Sequence, residues 1–115
     1  MAREISGDAL RGHLETMLLS VLERGPAHGF EILKRLEAAG CGLLKLREGS
    51  VYPALYRLEE SGLVSARWDD TSAERRGPRR RVYRLSQKGQ KRLMEGREDW
   101  SQFVSIIGGI MGATT

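Results

Sequence analysis

The chain has 115 residues, 40% of them apolar and 30% charged, with 19 Lys+Arg against 15 Asp+Glu for a formal charge of +4. That length holds one small domain, with or without an appended element, and excludes large catalytic architectures such as α/β barrels and doubly wound dinucleotide-binding folds. The composition is that of a globular chain rather than a disordered one.

The charge is unevenly placed. From Arg75 to Arg92 the sequence carries nine basic residues and no acid. The other 97 residues, with ten basic and fifteen acidic side chains, sum to −5. A cationic block on a mildly acidic body favours a polyanionic partner, nucleic acid or an anionic membrane surface; a merely solvated charge run is the plainer alternative. Cys41 is the only cysteine, so there is no intramolecular disulfide and no cysteine-based zinc framework. With no signal-peptide pattern and no long apolar run, the expected location is soluble and cytoplasmic.

Residues 1–7 read as a loose arm. From Asp8 to Arg24, Leu14, Met17 and Val21 fall within about 40° of Leu10 on a helical wheel, while Leu19 lies opposite. A helix apolar on both sides needs two covers, and so small a chain points to a partner subunit for the second. Gly25-Pro26 ends this helix. A second helix is expected from His28 to Ala39, with Ile32, Leu33 and Leu36 inward. A connector, Leu43 to Gly49, follows.

The next segment, Gly49 to Leu63, is the most readable. Ser50 is the expected N-cap, with Pro53 at the third helical position and the Ser50 hydroxyl accepting from the Tyr52 N–H. Val51, Leu55 and Leu58 share an inner face; Tyr52, Pro53, Tyr56, Arg57 and Glu60 share the outer one. Val64–Trp68 and Arg81–Leu85 read as two strands around a 12-residue basic loop. Such a hairpin must lie on the helices, because it cannot stand alone in water. Trp68 is expected in the core. Ser86 caps a last helix reaching about Met111, roughly 39 Å long. Gly108, Gly109 and Gly112 each cost up to about 1 kcal/mol there, so its end is expected to fray.

Helices followed by a basic hairpin describe a mostly α, α+β winged helix-turn-helix over residues 8–85, with a C-terminal dimerisation helix over 86–113. In that geometry the third helix enters the major groove and the hairpin tip reaches the backbone or minor groove. Ser50, Tyr52, Pro53, Tyr56, Arg57, Arg79, Arg80 and Arg81 are the candidate DNA contacts. Each has a plainer alternative: Tyr52 as a wedge between helices, Arg57 in an i,i+3 pair with Glu60, and the arginines as a solvated tip. On the last helix, Leu93, Arg97, Trp100, Val104, Ile107 and Met111 form one stripe, and Phe103, Ile106 and Ile110 a second. Leu19, Leu93, Trp100, Phe103, Val104 and Ile107 are the expected homodimer contacts.

Four blocks in order, Gly25–Ile32, Gly49–Glu59, Gly62–Val64 and Arg79–Gly89, resemble the successive signatures of PadR-type transcriptional regulators. The resemblance covers about residues 14–92. It implies a homodimeric winged-helix repressor on a palindromic operator, its long last helix crossing the partner protomer. The short chain is similar to the branch with a single C-terminal helix, which includes sensors of planar aromatic drugs. By position, Tyr52 resembles a tyrosine that contacts the DNA backbone. Trp100 resembles one that pairs across the dimer axis and stacks on ligands. Met17 and Val104 complete that tentative effector site, with an interface anchor lacking any ligand as the alternative. Phe30 departs from the tyrosine common in the family, so a hydroxyl is missing there. No cofactor, metal site or enzymatic activity is expected: His13, His28 and Cys41 share no ligand spacing, and Cys41 has no identifiable base. A protein-interaction adaptor is the competing function.

Overall fold

The computed structural model describes residues 5–6, 13–69 and 80–113. The elements are β1 (Ile5–Ser6), α1 (Leu14–Leu22), β2 (Ala27–His28), α2 (Gly29–Ala39), β3 (Leu44–Lys45), α3 (Glu48–Glu60), β4 (Val64–Asp69), β5 (Arg80–Leu85) and α4 (Gln87–Met111). Asp8, Leu10 and the loop residues Arg75, Arg76 and Arg79 lie outside the described residues.

α1 is the post around which the rest is built. Leu18 and Leu19 have no exposed surface and Leu22 almost none, because α2, α3, β5 and α4 all pack on this helix. The second cover expected from a partner is therefore supplied by the chain's own elements. Leu19 is a core residue, not an outward one, and has no surface left for a dimer contact. The same holds for Leu93, buried where α4 crosses α1.

α2 starts as expected, with His28 as its N-cap; Nδ1 accepts the Glu31 N–H at 3.3 Å. The residues just before it were not expected to pair. Ala27 and His28 add a third, antiparallel strand to β5, giving the sheet order β2-β5-β4. The amino-terminal arm and the connector, both read as irregular, meet in a short parallel pair, Ile5 with Leu44 and Ser6 with Lys45.

α3 begins two residues before Ser50. Arg47 is its N-cap position and no side chain caps it. Ser50 is thus the third helical residue, and its backbone N–H turns back to the Arg47 carbonyl at 3.0 Å. Pro53 is the sixth, past the free N–H groups of the first turn, so it removes one helical hydrogen bond, that to the Gly49 carbonyl. Both residues lie on the exposed side, where solvent can serve that carbonyl. The helix stops as its sequence requires: Gly62 takes φ +75°, its N–H bonds the Glu59 carbonyl, and the Leu63 N–H bonds the Leu58 carbonyl at 2.9 Å. This double closure turns Leu63 into the core.

The hairpin is regular from Val64 opposite Leu85 to Asp69 opposite Arg80. Its base is joined to α4 through two carbonyls, those of Gly62, which accepts from the Ser86 hydroxyl at 2.7 Å, and Leu63. The Leu63 oxygen accepts from the Ser86 N–H at 3.2 Å and the Ser86 hydroxyl at 2.9 Å, while Ser86 Oγ accepts the Gly89 N–H at 3.0 Å. A Cβ on Gly89 would lie 2.0 Å from that same carbonyl oxygen. Only glycine lets α4 approach this closely.

α4 has 25 residues and is about 38 Å long. Its first half is fastened to α1. Gly96 lets the Thr16 side chain in, and Arg97 donates to Glu23 at 2.8 Å and to Ser20 at 3.2 Å. From Trp100 onward the helix leaves the core, which stretches the molecule to 57 × 32 × 21 Å. The helix continues through its glycines. Gly112 at φ +76° closes it, with the Ala113 N–H on the Gly108 carbonyl at 2.8 Å.

Two outcomes follow from these contacts. Gly89→Ala is expected to lower stability by about 1–3 kcal/mol, because the methyl meets backbone that cannot move aside. Gly49→Ala, at an open helical site, is expected to raise it by up to about 1 kcal/mol; thermal unfolding of both variants checks the opposite signs. Glu23 gives the second. Its hydrogen bond from Arg97, then that residue's charge, holds its carboxyl below the ordinary 4.5. A depressed carboxyl stabilises the fold above its unfolded value and loses that contribution as pH falls through the folded one. The unfolding midpoint of Glu23→Gln is expected to lie below that of the wild type at neutral pH, with the gap closing below pH 4.5.

Candidate nucleic-acid interface

α3 divides its residues between two environments. Val51, Ala54, Leu55 and Leu58 have no exposed surface. Ser50, Tyr52, Pro53, Tyr56 and Arg57 are all exposed, so the structure presents together the five α3 residues singled out in the sequence. Ala54 was not counted among the inner residues. Its small side chain sits between Val51 and Leu58 at helical spacing and lets α3 lie close on the core.

Tyr52 combines the two readings open for it. Its ring packs on the first turn of α2, where a Cβ on Gly29 would come within 2.2 Å of Cε1. Yet the residue keeps 39% of its surface exposed. Burial first, then the nearby Glu48 charge, raises its phenol above the usual 10. It stays a neutral hydrogen-bond donor at neutral pH. Tyr56 is more open, and its phenol is raised mainly by a hydrogen bond to Glu60. Glu60 thus engages Tyr56, the neighbour that sequence spacing had offered to Arg57.

Beside Tyr52 a recess of about 210 Å³ is lined by His28, Gly29, Phe30, Tyr52, Arg80, Arg81 and Tyr83. It joins three elements that are distant in sequence: the start of α2, the outer face of α3 and the base of the wing. Arg80 is exposed, with Nη1 3.0 Å from His28 Nε2. A neutral imidazole accepts at one nitrogen only, so the α2 cap and the Arg80 contact compete for His28.

Arg81, also singled out for DNA, is engaged within the protein. Its Nη2 donates to Glu59 Oε2 at 2.5 Å, on the inner flank of α3, and its guanidinium carbon lies 5.3 Å from the Trp68 ring centre. The hydrogen bond from Arg81 to Glu59 holds the guanidinium still more firmly protonated. Trp68 itself is about half exposed, not in the core; strand alternation keeps it on the face of Val64 and Ala66, but two residues further along the hairpin than Ala66, beside Arg81. Other members of the basic block are likewise engaged. Lys88 Nζ donates to the Ser61 carbonyl at 2.7 Å, a favourable place for a cation at the end of α3, and Arg92 lies 3.8 Å from Glu95.

On α4, Trp100 and Phe103 are stacked at 5.7 Å, and His13 meets the Trp100 ring edge-on at 4.8 Å. Both aromatic residues, with Ile106, Ile110 and Met111, remain exposed, while Val104 and Ile107 are half-buried. Met17 packs on the edge of the core. Sequence reasoning missed His13 in this cluster, and the Gly29–Tyr52 and Glu59–Arg81 contacts, because each joins elements whose relative placement no local pattern encodes. Among the described residues no cluster could hold a metal ion, and no helix is long and apolar enough to cross a membrane.

Comparison with known proteins agrees with this geometry. A transcriptional regulator from Clostridium thermocellum superposes with a TM-score of 0.80 at 30% identity, covering 91% of this chain and 96% of that one. A PadR-like transcriptional regulator from Bacillus cereus gives 0.75 at 26% identity, covering 91% and 97%. The transcriptional regulator YqjI of Escherichia coli is 31% identical over 87 residues, 76% of this chain but 39% of that longer protein. Residues 18–95, which hold the core, α3 and the hairpin, match the transcriptional regulator PadR-like family, and the chain belongs to it.

Proposed function

We propose that the protein is a homodimeric repressor that binds a palindromic operator through α3 and the wing. The observation that carries this reading is the fully one-sided burial of α3: its inner residues are spent in the core, and its outer face meets Arg80 beside one recess. Tyr56 and Arg57 are the base-edge or phosphate contacts, and Tyr52, Ser50 and Arg80 set register on the backbone. Arg79, next to Arg80 in sequence, adds a further cation for phosphate.

The unit of binding is a dimer. The second half of α4 leaves Trp100, Phe103, Ile106 and Ile110 exposed on a helix that outruns its own core, a surface suited to a second copy. Val104 and Ile107, half-buried at the edge of the same helix, continue that contact. Residues 8–85 then form the DNA-binding part and 86–113 the dimerisation helix, and a two-fold axis places the two α3 helices on an inverted repeat. Trp100 and Phe103 also offer a flat aromatic compound a stacking surface, flanked by Val104 and Met17. Such a compound releases the operator only by favouring one spacing of the α3 helices over the other.

Binding to a palindromic promoter fragment, compared with scrambled DNA across a salt series, tests this reading. Arg57→Ala is expected to weaken operator binding by about 1–3 kcal/mol if it touches a base. Gly29→Ala, which drives the Tyr52 ring off α2, is expected to weaken binding to both DNAs. Equal affinity of the wild type for operator and scrambled DNA would contradict sequence-specific recognition and leave the adaptor role.

A further inference from the structure

Arg80 and Arg81 are neighbours in sequence and both lie at the base of the basic loop, yet the strand sends them to opposite sides. Both line the recess, but Arg80 is the exposed one and reaches His28 there. Arg81 spans two elements, its guanidinium bonded to Glu59 of α3 and lying over Trp68 of β4, the residue paired with it across the hairpin. Both partners of the ion pair are about two-thirds covered. Among the described residues, this is the ion pair that ties the hairpin to α3. A guanidinium already matched by a carboxylate adds no net positive charge, and that carboxylate repels a phosphate brought to the same place.

We propose that Arg81 is a positioning residue that locks the hairpin against α3 through Glu59, fixing the angle at which wing and α3 meet DNA together. The proposal rests on the DNA-binding reading above and divides its two arginines. Arg80 supplies sequence-independent attraction. Arg81 supplies discrimination, because a wing free to swing can settle on the backbone beside any sequence.

Two measurements test it. Without DNA, spin labels at Arg67→Cys and Glu60→Cys, in a Cys41→Asn background, report the distance between hairpin and α3. The distribution is expected to be narrow in the wild type and broad in Arg81→Ala and Glu59→Gln. It is expected to narrow again in the reversed pair Glu59→Arg/Arg81→Glu. With DNA, Arg80→Ala is expected to lower operator and scrambled affinity alike and to reduce the salt slope by about 0.9. Arg81→Ala is expected to leave the slope unchanged and to cut the operator-to-scrambled ratio about tenfold, the order of one mismatched base pair. The reversed pair is expected to restore the ratio. An unbroadened distance distribution in Arg81→Ala overturns the proposal whatever the DNA result. So does a salt slope that falls in Arg81→Ala as in Arg80→Ala. A wild type indifferent to sequence but with the broadening intact overturns the DNA reading instead, and with it the discriminating role of the lock.

Discussion

The molecule depends on the complete burial of one side of α3. Four residues with no exposed surface anchor a 13-residue helix whose opposite side carries two tyrosines, a proline and an arginine. A helix held this way cannot roll without exposing Val51, Leu55 and Leu58, which costs about 1.5–3 kcal/mol for each side chain brought to water. The other contacts then fix what burial alone leaves free. Tyr52 against Gly29 sets the distance from α3 to α2, Arg81 with Glu59 sets the wing, and the Leu63 carbonyl sets the start of α4. The surface proposed to meet DNA is therefore positioned from behind at each end.

The charge that first pointed to a polyanion is less uniform than its sequence. Nine basic residues stand in a row without an acid, but folding pairs Arg81 with Glu59, Lys88 with the last turn of α3 and Arg92 with Glu95. Arg80 and Arg84 stay exposed on the hairpin. Arg81 and Lys88 thus help to hold the wing and α4 in place. Among the described residues, attraction to a polyanion falls to a smaller set, of which Arg80 lies beside Tyr52 of α3.

Much of this architecture was legible in the residues themselves. The inner and outer faces of α3, the two strands of the wing and the Ser86 cap all follow from periodicity and from side chains that satisfy nearby backbone groups. The misplacements have a common cause. Leu19 reads as outward on an isolated wheel, but α1 is enclosed by four elements, and a wheel does not know how many neighbours a helix has. Ser50 has the chemistry of a cap, yet the chain had already turned helical at Glu48. Trp68 and Arg81 were assigned by residue type, to the core and to DNA, whereas strand alternation and Glu59 put them together on the hairpin. The parallel pairing of Ile5–Ser6 with Leu44–Lys45 joins residues nearly forty positions apart and leaves no local signature.

The central claim is that one surface, built from the outer face of α3 and the base of the wing, meets DNA. Amide and side-chain chemical shifts of the protein titrated with operator DNA test it residue by residue. Large changes are expected at Ser50, Tyr52, Tyr56, Arg57 and Arg80, with Leu18, Leu55 and the second half of α4 little affected. Changes concentrated on α4, with the outer face of α3 silent, would contradict it.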